Sequence, residues 1–339
     1  MLNLRNIIVI GASAGGFNTI GEVLGGFPPD IDAAVLVVIH ISRKSDSRII
    51  AATFQRSTTL KCVVAAEGMP LKRGHVYVAP PDHHIMVEDS TIHVNQGPHE
   101  NKYRPSIDVL FRSAAVSFGH RAIGVILSGL LDDGTSGMWA IKSSGGICIV
   151  QSPEEARFPD MPRSVMNKIE VDHIAIVDNI PAVITSILNE PLPPEKPVPA
   201  ELQIEADITY KMMTKIDQLK KIAVHSDYNC PECGGGLWEI KHDPTHRYRC
   251  HTGHVYTEAL LNELKDEKIE ESVWVSIRML EEKANLLKLM VKRGEEEPEI
   301  ASARGRRVDE INKHISRLKS LLLKLNEHQD PPGYLAAGE

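Results

Sequence analysis

Two hydrophobic rhythms divide the chain. In the first half, short uninterrupted apolar runs alternate with longer amphipathic stretches. Ile7 to Ile10, Val35 to Ile39, Val125 to Leu127 and Ile147 to Val150 carry no polar alternation, as strands buried on both faces of a parallel sheet should. The amphipathic stretches between them predict covering helices. This half therefore reads as an α/β fold, a doubly wound, mostly parallel sheet with helices on both faces. One region departs from that rhythm. His75 to Pro81, then Ile85-Met86-Val87 and Ile92-His93-Val94, alternate apolar and polar residues, with Asp89-Ser90 between the last two runs. They predict an antiparallel hairpin inserted at an edge of the sheet.

From Thr257 onward the rhythm is helical. Val273, Ile277, Leu280, Ala284, Leu287 and Val291 form one seven-residue seam, and Val308, Ile311, Ile315, Leu318, Leu322 and Leu325 form a second. Gly294-Glu295-Glu296-Glu297-Pro298 separates them and should break the helix. The expectation is a helical hairpin whose seams pack on each other. The same seams could instead dock a partner protein or a second copy of the chain, giving a homodimer. Residues 190–199 hold five of the 21 prolines and predict a stiff linker. The expected organisation is an α/β domain over 1–188, a linker over 189–205, a small zinc-ribbon-like Cys/His module over 206–256, the helical segment over 257–328 and a tail over 329–339.

Composition narrows the classes. A chain of 339 residues with 38 basic and 45 acidic side chains, net charge −7, offers no basic stripe for nucleic acid. The longest apolar run, Ala33 to Ile39, has seven residues, against the roughly 18 to 20 that cross a bilayer. Ile7 to Ile10 is too short for a signal peptide. No membrane insertion and a cytoplasmic location are therefore expected. Of the five cysteines, Cys62 and Cys148 sit among apolar neighbours and read as core thiols. Cys230, Cys233 and Cys250 cluster, which in a reducing compartment points to metal before disulfide. Cys230-Pro231-Glu232-Cys233-Gly234 has the form of a zinc knuckle, and Cys250-His251-Thr252-Gly253-His254 adds a third thiolate and two imidazoles. The expected ligands of a structural zinc are Cys230, Cys233, Cys250 and His254, with His251 the substitute fourth and His225, His242 and His246 nearby.

The first predicted strand ends in Gly11-Ala12-Ser13-Ala14-Gly15-Gly16. Such a loop can cradle phosphate, although the dinucleotide fingerprint wants glycine where Ser13 stands. It can equally be a G-x-S-x-G elbow that holds a nucleophilic serine, or a plain turn. His40 ends the next predicted strand, 27 residues on, a separation that suits one βαβ crossover. Asp133 lies in Ser128-Gly129-Leu130-Leu131-Asp132-Asp133-Gly134, after the strand Val125 to Leu127. Singly, His40 fits a local strand-end hydrogen bond and Asp132 or Asp133 fits a helix N-cap. Together on one rim, Ser13, His40 and Asp133 fit a nucleophile, its base and the group that orients the base.

These residues resemble the CheB protein-glutamate methylesterase catalytic domain. The likeness spans about residues 5–188: the GASAGG loop, Val37-Val38-Ile39-His40, Tyr77-Val78-Ala79-Pro80 with His84, Arg104-Pro105-Ser106-Ile107-Asp108-Val109-Leu110-Phe111, Leu127-Ser128-Gly129 to Asp133-Gly134, and Phe158-Pro159-Asp160-Met161-Pro162. The resemblance implies that Ser13 is the nucleophile, His40 its base and Asp133 the orienting aspartate, with no cofactor for catalysis. It implies hydrolysis of γ-glutamyl methyl esters on a methylated chemoreceptor or related signalling protein, and allows deamidation of glutamine. Backbone amides near Ala14 and Leu130 would hold the oxyanion. The sequence departs from the family at Ala14 and Phe17, where threonine and proline are common, and at Gly129-Leu130-Leu131, where the family has Gly-Met-Gly. Ten residues precede Gly11, so a fused N-terminal receiver domain is not expected, and regulation would fall to a separate receiver. A regulatory scaffold that recruits partners through its zinc and helical segments is the alternative reading.

Overall fold

The computed structural model describes residues 6–212, 215–293 and 297–327. The chain divides into two compact units, 1–260 and 261–339. In the first unit, β1 (Asn6–Ala12), α1 (Gly16–Gly25), β2 (Ala33–Ile39), α2 (Ser47–Ser57) and β3 (Lys61–Val64) open an alternating pattern. There follow β4 (Met69–Pro70), β5 (His75–Val78), β6 (His84–Glu88), β7 (Thr91–Asn95) and α3 (Ile107–Phe118). The pattern closes with β8 (Ala122–Ile126), α4 (Thr135–Ser143), β9 (Ile147–Gln151), α5 (Asp160–Lys168), β10 (His173–Ala175) and α6 (Ile180–Asn189). Seven strands form one parallel sheet in the order β10-β9-β8-β1-β2-β5-β3. Successive residues of β1 point to opposite faces. Ile8 and Ile10 join α1, α2 and α6 in one core, while Ile7 and Val9 join α3 and α4 in the other. The doubly wound reading holds, because the unalternating runs are those whose two faces are both covered.

The hairpin expectation needs one correction. Its β6–β7 half forms, with Asp89 and Ser90 at φ +46° and +65° in the turn, as a tight two-residue hairpin requires. It belongs, however, to a separate three-stranded sheet, β4-β7-β6, while His75–Val78 runs parallel between β2 and β3 in the main sheet. Both faces of this strand are covered from Val76 to Ala79; the polar positions are His75, at its half-buried start, and Tyr77, whose buried hydroxyl accepts from Lys72 N and donates to Pro70 O, both at 2.9 Å.

Residues 190–199 are irregular, but the expected linker ends at Pro199. α7 (Ala200–Lys211) begins inside it, because Ala-Glu-Leu-Gln-Ile-Glu is a run of good helix formers behind a proline. α8 (Ile216–Ile222) then leads into an antiparallel sheet of β11 (Ala223–Asn229), β12 (Gly236–Ile240), β13 (Arg247–Cys250) and β14 (Val255–Thr257). This Cys/His sheet does not stand apart, but belongs to the same compact unit as the parallel sheet. Three buried arginines, Arg112, Arg247 and Arg249, face three buried carboxylates, Glu100, Glu205 and Asp243. The six charges balance. Burial alone would raise the Glu205 carboxyl, but Arg112 and Arg247 hold it far below its ordinary range. An ion cluster of this kind fixes how elements meet more than it adds stability, since each charge gives up its hydration.

In the second unit, α9 (Glu258–Arg293) and α10 (Pro298–Glu327) pack along the predicted seams. Ile277 and Ala284 of α9 are buried with Val308, Ile311, Ile315 and Leu322 of α10. Lys319 Nζ reaches Glu281 Oε1 across the pair at 2.9 Å. The last residue of each seam, Val291 in α9 and Leu325 in α10, is 37% and 40% exposed. Gly294, Glu295 and Glu296, expected to break the helix, and the expected tail over 329–339 lie outside the described residues.

Candidate active site

β8, β1 and β2 are neighbours in nearly matched register, Gly11 opposite Ile126 and Ala12 opposite Ile39. Their carboxyl ends therefore finish on one rim, where the chain leaves β1 in one direction and returns beside it from the other. Ligand sites in open α/β sheets form at such points. The ladder continues past the strands: His40 N donates to Ala12 O, Leu127 N to Gly11 O and Ser13 N to Ser128 O, at 3.1, 3.0 and 3.0 Å. Ser13, His40 and the loop carrying Asp133 are thus fixed by backbone hydrogen bonds before any side chain interacts.

Ser13 Oγ lies 3.2 Å from His40 Nδ1, and His40 Nε2 lies 2.8 Å from Asp133 Oδ2. With the imidazole proton on Nε2, donated to Asp133, Nδ1 is free to accept the Ser13 hydroxyl proton. Two glycines let this loop close. Gly15 sits at φ +73°, and at Gly129 a Cβ would come within 2.9 Å of the Ser13 Cβ and 1.9 Å of Met161 Sδ. Only glycine allows that approach.

Asp133 is 1% exposed and charged because of what surrounds it. Burial pushes its carboxyl up, but the hydrogen bond and charge of His40, the Ile107 amide and the Asn101 side chain together hold it below the ordinary range. Ile107 N donates to Oδ2 at 2.7 Å. Ser106 Oγ, Asn101 Nδ2 and Asp108 N donate to Oδ1 at 2.9, 3.1 and 3.3 Å. Ile107 and Asp108 open α3, so the positive end of that helix also faces the carboxylate. The neighbouring Asp108 carboxyl is driven the other way, well above its ordinary range, by burial and by the charge on Asp133. Its Oδ1 accepts from Gly134 N and Gly137 N at 2.9 and 2.7 Å, and its Oδ2 from Asn101 Nδ2 at 2.9 Å.

Sequence reasoning assigned no role to Asn101, Tyr103 or Ser106. Tyr103 stacks on His40 with ring centres 3.5 Å apart and planes 7° from parallel. His84, in the motif but without an assigned role, supports this layer: its Nδ1 accepts from Ser106 N at 3.2 Å and its Nε2–H donates to Pro98 O at 2.9 Å. Burial, opposed by the Glu100 charge, lowers the His84 imidazole from 6.5 to about 4. The unfolded chain takes up this proton below about pH 6.5 and the native one only near pH 4, so the stability His84 contributes is full above pH 6.5 and lost as pH falls toward 4. Between about pH 7.5 and 5, denaturant titrations should show the native chain losing roughly 2 kcal/mol more than His84→Gln. An equal loss in both would contradict this account.

The four predicted metal ligands also come together. Their ligand atoms all lie within 4.8 Å of one another. The Cys230 Sγ–His254 Nδ1, Cys250 Sγ–His254 Nδ1 and Cys233 Sγ–Cys250 Sγ separations are 3.7, 3.5 and 3.7 Å. A tetrahedral zinc with bonds of about 2.3 Å to sulfur and 2.0 to 2.1 Å to nitrogen sets edges of about 3.5 to 3.8 Å, so the set fits that ion. The other nitrogen of His254, Nε2, faces Glu232 Oε2 at 3.2 Å, a carboxylate placed as metal-binding histidines commonly require. His251 is exposed and not part of the cluster. Cys148 is buried as expected, and Cys62 is half-buried. Among the described residues, no helix is long and apolar enough to cross a membrane.

Fold and geometry together define the class, a three-layer α/β protein with a serine–histidine–aspartate triad on the carboxyl rim of a parallel sheet. Comparison with known proteins places it more closely. Residues 8–184 match the model of the CheB methylesterase family, and the chain belongs to that family. A Leptospira interrogans protein named "Putative protein-glutamate methylesterase/protein-glutamine glutaminase" is 38% identical over 174 residues, 51% of this chain and 90% of that protein. Protein-glutamate methylesterase/protein-glutamine glutaminase 2 of Anaeromyxobacter dehalogenans is 33% identical over 53% of this chain and 53% of its own length. The crystal structure of the Thermotoga maritima CheB methylesterase catalytic domain superimposes with a TM-score of 0.51 and 27% identity, over 54% of this chain and 98% of that one.

Proposed function

We propose that the chain is a protein-glutamate methylesterase, with Ser13 as nucleophile, His40 as general base and acid, and Asp133 as the group that orients His40. The observation that carries this is the Ser13–His40–Asp133 hydrogen-bond chain at the ends of three adjacent parallel strands. Ser13 Oγ attacks the carbonyl carbon of a γ-glutamyl methyl ester while Nδ1 of His40 takes its proton. Collapse of the tetrahedral adduct breaks the bond to methoxide, which leaves as methanol with that proton. Water, deprotonated by His40, then releases the glutamate and restores Ser13. Asp133 holds the proton on Nε2 throughout and balances the imidazolium.

The amides of Ala14 and Leu130 would hold the oxyanion. Their neighbours are engaged elsewhere, Ser13 N on Ser128 O and Gly129 N on Phe158 O at 3.0 and 2.9 Å. Glutamine side chains would follow the same route with ammonia leaving. The substrate class is a methylated chemoreceptor or related signalling protein in the cytoplasm. Methanol release from methylated receptor by the purified chain tests this, and its absence, with Ser13 also inert to serine-directed reagents, would refute it.

The same reading assigns Cys230, Cys233, Cys250 and His254 to a structural zinc, because four closed protein ligands leave no position for substrate. The purified chain should carry one equivalent of zinc, with Cys230 and Cys233 alkylated only after chelation. Metal-free protein with both thiols freely alkylated would remove this assignment.

A further inference from the structure

The Cys/His cluster and the triad meet in one segment, residues 98–104. Val255 follows His254 directly, and its backbone is laced to this segment: Val255 N donates to His99 O at 3.3 Å and Asn101 N donates to Val255 O at 2.9 Å. Arg249, adjacent to Cys250, donates from Nη1 to Glu100 Oε1 at 3.0 Å, with both side chains buried. Glu232, between two candidate ligands, faces His254 Nε2 and also His99 Nδ1, at 3.2 and 3.6 Å. The other side of the segment touches the triad, through Asn101 Nδ2 on Asp133 Oδ1 at 3.1 Å and the Tyr103 ring on His40. One covalent step and one backbone hydrogen bond therefore separate His254 from the residue that binds Asp133.

We propose that the metal ion held by Cys230, Cys233, Cys250 and His254 positions the esterase site, by fixing Val255 against residues 98–104 and so holding Asn101 on Asp133 and Tyr103 on His40. The proposal rests on the readings of the triad and the metal site given above. The ion takes no part in the reaction. It ties the β13–β14 turn to the Cys230–Cys233 turn, and with that tie Val255 is a fixed edge for the segment to pair with. Asn101 and Lys102 adopt φ of +54° and +67°, a conformation that persists only where the surroundings hold it. Without the ion this segment relaxes, and Asp133 and His40 lose one partner each. Asn101 and Tyr103 are positioning residues: they act on reacting groups through the triad.

The test uses the full chain with its zinc, the same chain after chelation, and that chain after zinc is restored. The readout is the rate of covalent labelling of Ser13 by an alkyl fluorophosphonate, which requires the triad but no receptor. In that step an O–P bond forms, the P–F bond breaks and fluoride leaves, and the hydroxyl proton passes to His40. Labelling should slow by about 10²-fold on zinc removal and recover with zinc. Amide exchange should rise at 98–104 and not in β1, β2 or β8. Asn101→Ala should slow labelling of the zinc-loaded chain, and zinc removal should then slow it by less than it slows the native chain, because the contact to Asp133 is already lost. Should that variant not fold, Tyr103→Leu carries the same comparison. Equal labelling with and without zinc overturns the proposal. So does loss of protection throughout β1, β2 and β8, since the ion would then hold the whole fold. A zinc-loaded chain that never labels overturns the triad reading, a chain that binds no zinc overturns the metal reading, and either takes this proposal with it.

Discussion

Replacing Ser13 by alanine should lower methanol release by about 10⁴-fold or more without destabilising the fold. Among the described residues the Ser13 side chain hydrogen-bonds His40 Nδ1, while its position comes from the backbone. Ser13 N donates to Ser128 O and Gly16 N donates to Ser13 O, both at 3.0 Å, and alanine keeps both bonds. Loss of the hydroxyl removes the group that forms the acyl-enzyme, and the nearby Ser128 Oγ is turned to Ala14 O instead, at 2.9 Å. The remaining oxyanion donors and His40 could at most assist direct attack by water. Turnover and denaturation midpoint measured on the same preparation separate the two effects. Ser13→Ala protein with turnover within tenfold of the native chain would contradict the assignment of the nucleophile, and a lowered midpoint would contradict the account of how the loop is held.

Why Ser13, His40 and Asp133 were legible in the sequence follows from the sheet. Each follows an unalternating apolar run, and a parallel sheet finishes such runs on one rim, so periodicity makes the three candidates for one site while the family resemblance implies their roles. The metal ligands were legible for a different reason, since C-x-x-C and C-H-x-G-H are local turns whose thiolates and imidazole converge on one ion. What could not be read is carried by residues remote in sequence. Arg249 and Glu100 are 149 positions apart, and their meeting depends on the docking of β13 against the segment before α3. Asn101, Tyr103 and Ser106 lie in irregular chain whose path is set by β14 and His84, and no periodicity marks them. The misplaced hairpin has its own cause. His75–Val78 pairs in parallel and is buried from Val76 on, and its apparent alternation comes from Tyr77, whose hydroxyl is satisfied inside by Pro70 O and Lys72 N.

Asp133→Asn should cost turnover about 10⁴-fold with little change in KM, and here the reason lies in the number of donors. Both oxygens of Asp133 accept: Oδ2 from His40 Nε2 and Ile107 N, Oδ1 from Ser106 Oγ, Asn101 Nδ2 and Asp108 N. An asparagine has one oxygen to offer. If that oxygen faces Ser106 and Asn101, the amide NH₂ faces His40 and donates to Nε2, which forces the imidazole proton onto Nδ1, where it points at Ser13 and cannot accept. If the oxygen faces His40, the NH₂ is set against the buried donors Ser106 and Asn101, and the variant loses roughly 1 to 3 kcal/mol for groups left unpaired. Protonation provides an independent check. The native Asp133 carboxyl is held below its ordinary range, so the stability it contributes is present above about pH 4 and lost as pH falls through the lower native value. Asp133→Asn should lack that acid-side loss. The same substitution removes one of the charges that raise the Asp108 carboxyl, so Asp108 should titrate at lower pH in the variant than in the native chain. Methanol release, together with denaturant titrations from about pH 7 down to pH 3, reads all three effects on one protein. Retained turnover with an unchanged acid limb would mean that Asp133 neither orients His40 nor carries the buried charge.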